Sequence, residues 1–105
     1  MMYDHIKPII ASSLQDDAPS EALFQARDIF ETVFTAAQKS GHVLKIMTSS
    51  AGERQWLLEV LKQNNINDEI TFISLLGCAD QLLNTPGKDN FFQARCLFRI
   101  MLNAL

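Results

Sequence analysis

Over residues 19–40 the apolar side chains fall on a single helical stripe, and that periodicity constrains the fold more than anything else in the chain. Leu23, Ala26, Phe30, Val33 and Ala37 recur at spacings of three and four, with Ala22, Ile29 and Phe34 widening the stripe. Glu21 near the start and Lys39 near the end each suit the helix dipole, and Gly41 supplies a left-handed stop. A helix with one broad apolar face needs other elements to cover it, and the rest of the chain offers more helices.

In the first segment, Tyr3, Ile6, Ile10 and Leu14 share a helical face, and Pro8 either kinks that helix or delays its start. Residues 16–19 break the pattern, with Asp17 expected to cap the long helix and Pro19 to sit in its first turn. The short apolar run 42–47 is assigned to helix, because an isolated strand would find nothing to pair with. Ser50 and Glu53 have the capping-box spacing, opening a helix to about Asn64 with Trp56, Leu57, Val60 and Leu61 inward. Asn67 is placed to cap a helix over 68–83. Residues 84–87 (Asn-Thr-Pro-Gly) form a turn, and Asp89 or Asn90 caps a last helix to Leu105. The three prolines and four glycines read as punctuation between apolar runs. The expected fold is all-α: a compact bundle or helical-hairpin stack of five to six helices in a single domain, residues 1–105.

Composition narrows function by exclusion. The net charge is −3, so the basic face that a nucleic-acid or anionic-membrane partner requires is not expected. The stretch 63–87 has no Lys or Arg but carries Asp68, Glu69 and Asp80, which rules against a DNA-reading helix-turn-helix. No apolar stretch is long enough to span a bilayer. Asp4 and the absence of a positive leader followed by an apolar core argue against a signal peptide. Cys78 and Cys96 both sit in apolar helical patterns and read as reduced core thiols, so a cytoplasmic location is expected.

Catalytic signatures are missing. Neither His5 nor His42 has a carboxylate or cysteine at helical spacing, so no metal pair is predicted. The hydroxyl-rich run 48–50 lacks a nucleophile elbow, Ser50 is explained by capping, and Gly52 and Gly87 are too isolated to cradle phosphate. The acid pairs Asp16/Asp17 and Asp68/Glu69 lie where helices begin. No catalytic, cofactor-binding or metal-binding residue is assigned, and the chain is not expected to be an enzyme.

One internal echo stands out. Phe24-Gln25-Ala26-Arg27-Asp28-Ile29-Phe30 is matched by Phe92-Gln93-Ala94-Arg95-Cys96-Leu97-Phe98. The two lie two tetratricopeptide periods apart. At the intermediate position, however, Gln63 and Asn64 stand where Ile29 and Phe30 should recur, so the echo reads as two helices sharing one packing pattern.

The last two helices are apolar nearly all round. In 90–105 the polar residues Arg95, Arg99 and Asn103 form one narrow stripe. A helix of that kind must be covered on most sides. Part of this surface is therefore expected to pack against a partner chain through Phe91, Phe98, Met101, Leu102 and Leu105. The expected function is a non-enzymatic interaction module of adaptor, small chaperone or inhibitor and immunity type. Its partner is a protein or a second copy, and a twofold dimer is the leading case. Residues 16–31 set five acids (Asp16, Asp17, Glu21, Asp28, Glu31) against one base, Arg27, which suits a basic partner. The alternative is a small ligand-binding domain or enzyme with an inter-helix anion pocket built from Arg27, Arg54 and Arg95.

Overall fold

Pro8 decides where the first helix begins. The computed structural model describes residues 3–41, 44, 51–66 and 71–105, apart from the Glu53 side chain. Residues 3–6 wind into a turn in which Tyr3 O accepts from both Ile6 N (3.1 Å) and Lys7 N (3.2 Å). Helix α1 (Lys7–Ser13) follows with the proline in its first turn, where its missing N–H is harmless. Delay, not a kink, is thus the outcome.

Four more helices complete the described residues: α2 (Ser20–Lys39), α3 (Ala51–Gln63), α4 (Phe72–Leu83) and α5 (Lys88–Asn103), with no strand among them. The all-α class holds. Run 42–47, apart from Leu44, lies outside the described residues. So do Ser50 and the Glu53 side chain of the expected capping box, and the Asn67–Asp68 start.

Two helix starts correct the expected caps. Pro19, not Asp17, precedes α2, in extended backbone (φ −66°, ψ 155°), and its carbonyl accepts from Ala22 N at 2.9 Å. Before α5 the cap position is Gly87, at φ 149°, a conformation that side-chain-bearing residues rarely adopt. Asp89 and Asn90 therefore lie inside the helix, and Asn90 Nδ2 reaches back to Thr85 O at 2.9 Å. A third start also moves: the helix expected from Asp68 begins only at Phe72, because Thr71 is in extended backbone (φ −118°, ψ 164°) and caps α4, its Oγ1 accepting from Ser74 N at 3.4 Å. Gly41 does adopt the left-handed stop (φ 71°). Gly77 departs from the punctuation reading, because it sits in the middle of α4.

Helix α4 is central, packed on α5, α2 and α3, while α1 lies against α2 and α5. This arrangement answers how such an apolar segment is covered. Phe72, Leu75, Cys78, Ala79, Leu82 and Leu83 are all buried by the chain's own helices. Helices α2 and α4 run antiparallel, since Arg27 pairs with Asp80 at one end and Phe34 stacks on Phe72 at the other.

The core centres on Phe30. Its ring stacks on Phe98 (centroids 5.4 Å apart, 17° between planes) and meets Phe72 edge-on at 5.6 Å. Ala26 and Ala94 are fully buried beside these rings' helical faces. The two echo segments thus turn the same alanine and phenylalanine positions inward. Arg99 fastens the first helix to the last: one Nη2 donates to Leu14 O (2.7 Å) and to Asp16 Oδ1 (2.9 Å).

Candidate partner-binding surface

The five residues expected to contact a partner divide by helical phase. Phe98 and Met101 are 0% exposed and Leu105 is 5% exposed, so these three belong to the monomer's own core. Phe91 and Leu102 are half-buried and pack against that core. The correction has a simple cause. Ala94, Leu97, Phe98 and Met101 follow the three-and-four spacing of the α5 face turned toward the other helices, and a face already covered cannot also be a docking surface.

The opposite face of α5 is the one left open. Phe92, Cys96 and Ile100 follow one another at four-residue spacing, and Phe92 is 57% exposed. With Trp56 from α3 and Arg99 they line a shallow, largely apolar groove of about 420 Å³. A lone exposed apolar residue is ordinary, but an aromatic continued by a second aromatic and an isoleucine along one groove is a patch. Cys96 lies in this groove half-buried, so it is not the core thiol expected of it.

A second trough, of about 550 Å³, runs between α2 and α4. Ile73, 52% exposed, and Phe34 and Leu76 form its apolar wall, while Glu31 and Asp80 stand on its polar side. Arg27 closes one end. Its guanidinium is held by Asp80 Oδ1 (3.0 Å) and Asp28 Oδ1 (3.1 Å) and lies 5.3 Å from the Phe24 ring centre. Partial burial alone would lower the Arg27 pKa, but the bonds and charges of the two aspartates outweigh it and raise the value.

These contacts bear on the anion-pocket alternative. Arg27 is already neutralised on two sides, and Arg54 is exposed on α3. Arg95 is half-buried, and its Nε has no hydrogen-bond partner among the described residues. Of the three, Arg27 alone lines either of the two grooves described above. Nor is any group of three His, Cys, Asp or Glu placed to hold a metal ion among the described residues. No described helix is long and apolar enough to cross a membrane.

The two thiols differ sharply in chemistry. Cys78 is 0% exposed beneath α3, its Sγ 4.0 Å from Val60 O, and burial pushes its pKa up to about 11. Burial also raises Cys96, against the opposing pull of Arg99 and Arg95. Because the thiolate is the reactive form, a thiol reagent at pH 8 is expected to modify Cys96 first. Cys78 should react only when denaturant opens the fold. Mass spectrometry of partly labelled chains checks this, and equal labelling rates would show that the α3–α4 packing is not closed.

The signal for the α5 groove was present in the sequence as Phe92, Cys96 and Ile100 at four-residue spacing. It is obscured because the inner residues of that helix are just as apolar as the outer ones. No family model, curated protein or solved structure matches this chain.

Proposed function

We propose that the chain is a non-enzymatic protein–protein interaction module, of adaptor, small chaperone or inhibitor type, that pairs through the outer face of α5. The observation that carries the reading is the exposed Phe92, continued by Cys96 and Ile100 and flanked by Trp56. Aromatic residues in a shallow apolar groove are the usual anchors of protein interfaces. The leading occupant is a second copy. In an antiparallel pairing of two α5 helices about Cys96, Phe92 of each copy meets Ile100 of the other, since each stands four residues from the cysteine. One patch then serves both partners, as twofold symmetry requires. A bundle rather than a hairpin stack suits this reading, supported by α2 touching α1, α4 and α5 together. So does a reducing, cytoplasmic setting, supported by two free thiols.

Light scattering after gel filtration, over a wide concentration range, tests the pairing. The wild-type chain is expected to show a dimer that dissociates on dilution. Phe92→Asp should remain folded, since the side chain is largely exposed, and should weaken association more than about tenfold. A wild-type chain that stays monomeric at the highest concentrations removes the second copy as occupant. A Phe92→Asp chain that dimerises like wild type removes this face.

A further inference from the structure

We infer that the trough between α2 and α4 docks a basic amphipathic helix belonging to another protein. This surface is separate from the α5 groove and stands or falls independently of it.

The shape comes first. Two antiparallel helices present a trough, and a third helix is the natural element to lie in it. Its floor is unusual. Gly77 lies mid-helix, where glycine weakens the helix relative to alanine, yet a Cβ built there meets no atom within 4 Å. Nothing among the described residues therefore calls for a glycine at this position. A visiting backbone that approaches α4 closely would call for one, as small residues do wherever helices pack tightly. The walls then fit an amphipathic visitor: Ile73, Phe34 and Leu76 offer apolar contact, with Ile73 half exposed to solvent.

Charge selects the visitor's polar face. Around the trough and its rim stand Asp28, Glu31 and Asp80 against Arg27 alone, until Lys39 at the far end of α2. Arg27 is bonded to both aspartates, so one positive charge is shared between two negative ones and this end of the rim keeps an acidic excess. Glu31 is exposed and makes no ion pair among the described residues. With a net charge of −3 on the whole chain, long-range steering also favours a cationic partner. A helix carrying Leu or Ile on one face and Lys or Arg flanking it matches both the walls and the rim.

The test uses the full chain and a designed probe. The probe is an amphipathic Leu/Lys helical peptide of about 18 residues, or five turns. Its control is a Leu/Glu twin of identical pattern. Fluorescence anisotropy is expected to show the Leu/Lys peptide binding at least about tenfold more tightly than its twin, with the difference shrinking as salt rises. Amide NMR shifts should cluster on Glu31, Ile73 and Gly77. Gly77→Leu fills the trough without touching the core, so it should keep or raise the melting temperature while abolishing binding. Leu58→Asp, at an exposed apolar position of α3 that lines neither groove, should bind as wild type does. Equal binding of the two peptides, shifts centred on another face, or undiminished binding by Gly77→Leu would each overturn the inference.

Discussion

Phe98→Asp is expected to unfold the chain, not to dissociate an assembly. The Phe98 ring is fully buried and stacked 5.4 Å from Phe30. A carboxylate in its place would lie against Phe30, within a buried cluster that is apolar throughout. An unpaired buried charge costs several kcal/mol, against a typical domain stability of about 5–15 kcal/mol. Loss of the ring's own burial and packing adds about 3–5 kcal/mol. Far-UV circular dichroism of the purified variant at 25 °C should show most of the helix signal lost. The contrast with Phe92→Asp is the useful part. The two phenylalanines share one helix and one substitution, yet only the buried position should destroy the fold. Retention of full helicity by Phe98→Asp would mean that α5 presents a different face to the core than the one described.

Phe30→Ala is expected to lower stability by about 3–5 kcal/mol, the range for removing a buried aromatic and leaving a cavity. Phe30 is the ring that Phe72 meets edge-on and Phe98 meets face-on, so its loss strips both of a neighbour. Urea titration should show a lower midpoint with an unchanged slope, since the native state stays compact and the unfolded state is unaltered. Combining it with Phe98→Leu adds a sharper check. The pair should be less than additive by about 0.5–1.5 kcal/mol, because the ring–ring term is removed only once. A loss under about 1 kcal/mol for Phe30→Ala would mean that the aromatic centre is not where the core's packing is decided.

How far the sequence could be read follows from which signals are local. The α2 stripe is a local signal, and Leu23, Ala26, Phe30, Val33 and Ala37 all proved buried. The stop at Gly41 is a backbone constraint of a single residue and was legible, whereas Pro8 left a kink and a delayed start both open until the fold showed the delay. The starts of α2, α4 and α5 differ from those that the capping residues suggest, α4 beginning at Phe72 and not at Asp68. Asp17, Asp89 and Asn90 are good capping residues, but the conformations of Pro19 and Gly87 decided where each helix begins. The largest miss was the phase of α5. When a helix is apolar over most of its circumference, periodicity says that it is covered but not which residues do the covering. Phe92 and Phe98 read alike in sequence and differ in the fold from 57% to 0% exposed. The α5 groove shows only half of itself locally, as Phe92, Cys96 and Ile100 in one row, while Trp56 and the whole α2–α4 trough join residues far apart in the chain, such as Arg27 with Asp80. The echo was informative in a way its spacing did not suggest: its two final phenylalanines are the pair that stack at the centre of the molecule.

That stack has a consequence for the order of events on the ribosome. Phe30 is translated well before Phe98, and Phe72 lies between them. An emerging chain that has completed α2 can form the long helix, but Phe30 meets its edge-on neighbour Phe72 only with α4 and its stacked partner Phe98 only with α5. Contacts that join distant parts of a chain close late and leave greasy surface open meanwhile. The clasp from Arg99 to Leu14 spans even more of the chain and must close later still. A nascent chain of this design is unfinished at the centre while its first four helices are made, and ribosome-stalled chains that stop before α5 should therefore be the species most open to protease and chaperone.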